Sequence, residues 1–112
     1  EEKSNQENPT LTVWIALSYG GRPEIIDAVN KAVSLGEKVD MESFSKLLWS
    51  AGMPDPDLII RTGGETRLSN FLPWQSVYSE LFFTETYWPA FTKEEFQRIL
   101  SDYAERERRI GK

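Results

Sequence analysis

A chain of 112 residues is about one small domain, and its 13 Lys and Arg against 18 Asp and Glu leave a net charge of −5. That acidity removes the overall positive field on which nucleic-acid binding rests. Neither cysteine nor histidine occurs, which excludes disulfides, thiolate and imidazole metal sites, cysteine nucleophiles and Ser-His-Asp triads. Chemistry therefore falls to carboxylates, arginines, hydroxyls, backbone amides or a metal on oxygen ligands. No apolar run approaches the ~20 residues of a membrane span, so membrane contact is expected to be peripheral at most. The lack of cysteine fits a cytoplasmic location. The first residue is Glu1 rather than methionine, as in a processed or excised piece.

Residues 1–10 are polar and read as a flexible arm, leaving 11–112 as the folded unit. Leu11 to Leu17 is short, apolar and rich in β-branched and aromatic residues, which predicts a strand buried on both faces. Gly20-Gly21 stops it, and Pro23 sits in the first turn of a helix ending at Gly36. Ile25, Ile26, Val29, Ala32 and Val33 share one face of that helix. Asp40 caps a second helix with apolar Met41, Phe44, Leu47 and Leu48, ended by Gly52 and Pro54. Leu58-Ile59-Ile60 is a short buried strand. A helix is predicted from Leu72 to Leu81 with a stripe of Trp74, Val77, Tyr78 and Leu81, then a third strand at Phe82-Phe83-Thr84. Thr92-Lys93-Glu94-Glu95 is a capping box opening a last helix to about Arg109. Strands alternating with helices predict an α/β domain with a parallel sheet, and three strands make an incomplete one. The four tryptophans read as core or interface residues.

The densest cluster of chemistry-bearing residues runs from Asp57 to Asn70. Arg61 stands at the carboxyl end of a strand, where open α/β sheets bind ligands. Gly63-Gly64 permits a tight turn with exposed amides, and Arg67 and Ser69 return two residues apart. Two guanidiniums, a hydroxyl and glycine amides match the needs of a diphosphate: bidentate donors and charge compensation. No Gly-Lys-Ser/Thr follows, so this is not the phosphate loop of a nucleotide triphosphatase. Surface ion pairing of Arg61 and Arg67 with Glu65 or Asp57 is the alternative. Glu65 and Glu80 could serve Mg²⁺ beside the diphosphate, and Glu80 could equally be a solvated helix position. The turn Ser18-Tyr19-Gly20-Gly21-Arg22 also opens a helix after a predicted strand.

The stretch from Asp57 to Phe83 closely resembles the signature of the cis-prenyltransferases, the undecaprenyl diphosphate synthase family. Ala16-Leu-Ser-Tyr-Gly-Gly-Arg22, Trp88-Pro-Ala-Phe91 and Arg108-Arg-Ile-Gly111 resemble it in the same order. The resemblance covers nearly everything after residue 10. It implies a fold, the C-terminal part of that family's parallel sheet flanked by helices. It implies a reaction too: condensation of isopentenyl diphosphate with an allylic diphosphate to a Z-polyprenyl diphosphate, with Mg²⁺. By the same resemblance Arg61, Arg67, Leu68 and Ser69, with Gly63 and Gly64, would hold isopentenyl diphosphate. Glu80 would take part in Mg²⁺ binding across a homodimer interface. Arg109 and Gly111 match the Arg-x-Gly motif that reaches toward the neighbouring subunit.

The family's N-terminal His-x-x-x-Met-Asp-Gly-Asn-Gly-Arg motif, which carries the catalytic aspartate, does not occur in these residues. The resemblance thus implies a C-terminal half, inactive alone and without a catalytic residue of its own. Ser18 and Pro73 stand where the family usually has Asn and Leu. Two other readings remain open at this point: a non-catalytic partner subunit of a hetero-oligomeric cis-prenyltransferase, and an acidic interaction domain with no ligand.

Overall fold

The structure, a computed structural model, describes the backbone of residues 11–110 and the side chains of 11–106. The arm expected at residues 1–10 lies outside the described residues apart from its boundary. Helix α1 spans Gly21–Leu35, α2 Met41–Ser45 and α3 Lys93–Ile110, with a 3₁₀ turn at Trp88–Ala90. Strands β1 (Leu58–Arg61) and β2 (Glu80–Phe83) pair in parallel, Leu58 opposite Glu80 and Arg61 opposite Phe83. The expected α/β class holds. No helix among the described residues is long and apolar enough to cross a membrane.

Short-range chemistry sets the helix ends. Gly36 closes α1 at φ 66°, a conformation that costs glycine little, and its N–H donates to the Ala32 and Val33 carbonyls at 3.2 and 3.1 Å. The Asp40 carboxylate accepts the Ser43 N–H at 2.8 Å while the Ser43 hydroxyl accepts the Asp40 N–H at 2.9 Å. Helix α2 is shorter than predicted, and the chain continues past it in turns. Thr92 Oγ1 accepts the Glu95 N–H at 3.1 Å, the expected first half of the α3 cap. The Glu95 carboxylate does not return that bond; it accepts the hydroxyls of Thr84 and Thr86 instead.

Long-range packing overturns three expectations. Leu11 to Leu17 forms no strand, and Leu11, Val13, Ile15 and Leu17 are exposed. A strand takes its backbone hydrogen bonds from a neighbour, and among the described residues the sheet consists of β1 and β2. The helix predicted over Leu72–Leu81 is also absent. Asn70 and Leu72 hold positive φ (69° and 51°), and the segment proceeds by isolated turns such as Ser76 N–H to Leu72 O at 3.0 Å. Glu80 N–H then donates to Asp57 O at 2.9 Å, so Glu80 is the first residue of β2 rather than a helical one. Parallel pairing with β1 competes with helical continuation there and wins. Val77 and Tyr78 lie exposed, whereas Trp74 turns inward.

The third correction concerns the buried face of α1. Ile26, Val29 and Val33 are exposed, and Gly21, Glu24, Ala28 and Ala32 are buried. Gly21 and Glu24 meet residues 70–75, and Ala28 packs against Phe44 and Leu48. The core there consists of Ala28, Phe44 and Leu48, with Ile25, Leu47 and Trp74 packed on it and the Phe44 and Trp74 rings 4.8 Å apart. Trp74 is the tryptophan of this cluster; Trp49 and Trp88 are exposed.

The closest approach occurs at Gly21. A β-carbon there would lie 2.1 Å from Pro73 Cδ and 3.0 Å from the Asn70 carbonyl oxygen. Gly21→Ala is therefore expected to lower stability by about 3 kcal/mol through overpacking, read as a lower urea midpoint. Gly64→Ser, with open space at its β-carbon position, should suffer only the backbone cost of its positive φ, about 1 kcal/mol.

Candidate functional site

Strand β1 delivers Arg61 to its carboxyl end, and the guanidinium turns back over the loop that follows. Nη1 donates to the Arg67 carbonyl oxygen and, at 2.8 Å, to Ser69 Oγ. The arginine thereby closes residues 61–69 into one loop, its guanidinium meeting the Arg67 main chain and the Ser69 hydroxyl. Ser69 and Asn70 hold positive φ (48° and 69°) and reverse the chain. Asn70 then docks the loop on α1: its carbonyl accepts the Gly21 N–H at 2.7 Å and its Oδ1 accepts the Arg22 N–H at 2.8 Å. Two amides that would otherwise be unsatisfied at the helix start are filled by the loop. Leu68 is half-buried beneath it.

The Arg67 guanidinium pairs with Glu65 at 2.9 Å, both largely exposed, so the ion-pair alternative holds for Arg67 in part. The glycines differ from expectation. Gly63 and Gly64 have φ 96° and 84°, but their amides face inward: Gly63 N–H donates to Thr86 O at 3.0 Å and Gly64 N–H to Thr84 O at 2.9 Å. They bend the loop along the continuation of β2 and do not offer amides to a ligand. Anion chemistry at this rim therefore belongs to the guanidiniums and the Ser69 hydroxyl.

Glu80 stands apart. In the parallel pair it lies beside Leu58, while Arg61 lies beside Phe83 at the other end. Three residues of strand separate those ends, about 10 Å at strand rise, and Mg²⁺ binds oxygen at about 2.1 Å. Glu80 and Arg61 therefore stand at opposite ends of the strand pair, and no hydrogen bond or ion pair joins them among the described residues. Arg106 on α3 pairs with Glu80 at 3.4 Å, donates to the Leu81 carbonyl at 3.3 Å and stacks 3.9 Å over the Phe82 ring. No group of three acidic side chains able to hold a metal occurs among the described residues. A single carboxylate still fits Mg²⁺, which commonly takes one or two together with phosphate oxygens and water. The Arg109 side chain and Gly111 lie outside the described residues.

A buried polar hub, unseen in the sequence pattern, sits behind the loop. Glu24 is fully buried and accepts hydrogen bonds from Tyr19 Oη at 2.5 Å, Gln75 Nε2 at 3.0 Å and Ser50 N–H at 3.1 Å. Burial, with the carboxylate beside it, pushes the Tyr19 phenol well above its usual range and keeps it a donor. A phenol whose folded pKa exceeds its unfolded one contributes fully below the unfolded value. Stability should accordingly decline as pH climbs past 10.0, the ordinary tyrosine value. The only sequence signal was a glutamate in a helix's first turn, which ordinarily faces solvent near the helix dipole.

Comparison with known proteins gives this geometry a family. The family model for putative undecaprenyl diphosphate synthases, a prenyltransferase family, matches residues 1–111. An isoprenyl transferase of Thermotoga maritima is 52% identical over 98% of this chain and 49% of its own length. A (2Z,6E)-farnesyl diphosphate synthase of Mycolicibacterium smegmatis is 48% identical over 99% of this chain and 46% of its own. The crystal structure of a probable undecaprenyl diphosphate synthase from Campylobacter jejuni superposes with a TM-score of 0.70 at 41% identity, covering 86% of this chain and 45% of that one. The chain belongs to the undecaprenyl diphosphate synthase family of cis-prenyltransferases, and it spans about half the length of the relatives it matches.

Proposed function

We propose that this chain carries the isopentenyl diphosphate site of a Mg²⁺-dependent prenyltransferase. The enzyme condenses isopentenyl diphosphate with an allylic diphosphate to a Z-polyprenyl diphosphate. The observation that supports the reading is the loop at the carboxyl end of β1, in which the Arg61 guanidinium binds the Arg67 main chain and the Ser69 hydroxyl and which also carries the Arg67 side chain. Guanidiniums suit a diphosphate because each presents several fixed donors together with charge. Mg²⁺ would add charge neutralisation of the diphosphate oxygens. Glu80 would hold it, and since Glu80 and Arg61 occupy opposite ends of the pair, that role fits a homodimer in which one copy's Glu80 serves a site built by the other. Arg109 and Gly111 would contribute across the same interface.

The 112 residues contain no histidine and hence no His-x-x-x-Met-Asp-Gly-Asn-Gly-Arg motif. The chain alone is expected to bind without turning over, since the allylic diphosphate and its ionisation lack their aspartate. An intact Arg61–Arg67–Ser69 loop counts against the reading as a non-catalytic partner subunit.

Thermal unfolding tests the proposal. Inorganic pyrophosphate with Mg²⁺, at about 100 times its dissociation constant, should stabilise the chain by about 2.7 kcal/mol; Arg61→Ala should remove most of that gain and Arg67→Ala about half of it. A melting temperature indifferent to pyrophosphate in the unmodified chain would overturn the proposal.

A further inference from the structure

We propose that Glu95 is a positioning residue for the diphosphate loop, acting through Thr84 and Thr86 on the Gly63–Gly64 turn; this rests on the reading of the loop given above. One carboxylate oxygen, Oε1, accepts both the Thr84 hydroxyl at 2.6 Å and the Thr86 hydroxyl at 3.0 Å. An ionised carboxylate only accepts, so both threonines must donate to it. Thr84 Oγ1 in turn accepts the Thr86 N–H at 3.3 Å, fixing the bend between them. The carbonyls of these same two residues hold the loop, Thr86 O taking the Gly63 N–H at 3.0 Å and Thr84 O the Gly64 N–H at 2.9 Å. Side-chain and main-chain bonds of Thr84 and Thr86 thus link α3 to the turn that carries Arg61 forward to Arg67.

Two features distinguish this arrangement from ordinary helix capping. Glu95 occupies the third position of a capping box, yet its carboxylate is spent on the threonines, and its side chain is only 11% exposed. Consecutive glycines at φ 96° and 84° have more freedom to lose than any other pair. Such a turn holds one shape only when something outside it fixes the two amides. The carbonyls of Thr84 and Thr86 do so, and Glu95 fixes those carbonyls. Arg98, at 4.0 Å and mostly exposed, adds little to the clasp.

The test compares Glu95→Ala, Glu95→Gln and the double variant Thr84→Val/Thr86→Val in the full chain. Amide hydrogen exchange and calorimetric titration with inorganic pyrophosphate are the readouts. In Glu95→Ala the Gly63 and Gly64 amides should exchange roughly tenfold faster while the β1–β2 ladder amides keep their protection. Pyrophosphate affinity should fall about tenfold. The double variant should behave alike, and Glu95→Gln, whose amide oxygen can still accept both hydroxyls, should stay near the unmodified chain. Unchanged glycine exchange in both Glu95→Ala and the double variant overturns the proposal, as does faster exchange with unchanged affinity. Should Glu95→Ala lose ladder protection as well, the double variant decides in the same terms. Failure of the unmodified chain to bind pyrophosphate instead counts against the proposed function, and the exchange pattern then decides the clasp by itself.

Discussion

Glu24→Ala is expected to cost about 4 kcal/mol, a large part of the 5–15 kcal/mol that holds a domain of ordinary stability together. The carboxylate is fully buried and is the shared acceptor for the Tyr19 hydroxyl, the Gln75 amide and the Ser50 N–H. Removing it leaves the Tyr19 hydroxyl and Ser50 N–H without their acceptor, each at about 1–3 kcal/mol with partial relief from solvent, while Gln75 Nε2 keeps its bond to Ser50 Oγ at 2.6 Å. Gln75 Oε1 is already buried without a partner among the described residues, so the hub has no spare satisfied group to lose. Glu24→Gln should lose about half as much, because one amide oxygen remains while the new NH₂ faces donors. Urea unfolding measures both. A Glu24→Ala midpoint equal to that of the unmodified chain would contradict the hub.

The second large effect concerns Arg61. Arg61→Ala should weaken pyrophosphate binding about a hundredfold, which corresponds to about 2.7 kcal/mol. Its guanidinium both offers charge at the strand end and ties the loop through the Arg67 carbonyl and Ser69 hydroxyl. Arg61→Lys should recover little, since a point-charged ammonium cannot span both partners and still present a planar fork. Arg67 sits differently. It is mostly exposed and already paired with Glu65 at 2.9 Å, so Arg67→Ala should cost about tenfold in affinity. Glu65→Gln, which releases Arg67 from its partner, should tighten binding severalfold. Isothermal titration with pyrophosphate at fixed ionic strength measures the series, and equal losses for Arg61 and Arg67 would refute the difference in roles.

The sequence proved readable where structure is decided within a few residues. Gly36, Asp40 with Ser43, and Thr92 end or open helices through bonds to near neighbours. The contact of Arg61 with the Arg67 main chain and Ser69 belongs to the same category, since one short loop supplies them all. Distant contacts were not readable. Apolar periodicity placed Ile26 and Val33 inside, yet the inward face of α1 is set by two distant segments, residues 70–75 against Gly21 and Glu24 and the Phe44–Leu48 segment against Ala28. Leu72–Leu81 has a helical pattern, but positive φ at Asn70 and Leu72 and pairing of Glu80 onto β1 decide otherwise. That single misreading put Glu80 on a helix beside the arginines when it belongs to the far end of the strand pair. The glycine amides were misassigned for a related reason: their acceptors, on Thr84 and Thr86, belong to a segment beyond the next strand.

The apolar run from Leu11 to Leu17 bears on how the protein behaves in a tube. Its main chain joins no ladder, and alternate apolar side chains lie in water. An exposed apolar segment of high β-propensity can pair with the same segment of other molecules, and charges or prolines that ordinarily discourage this are missing from it. Self-association should therefore rise steeply with concentration, and a lysine at Val13 or Ile15 should keep preparations clear without touching the arginine loop.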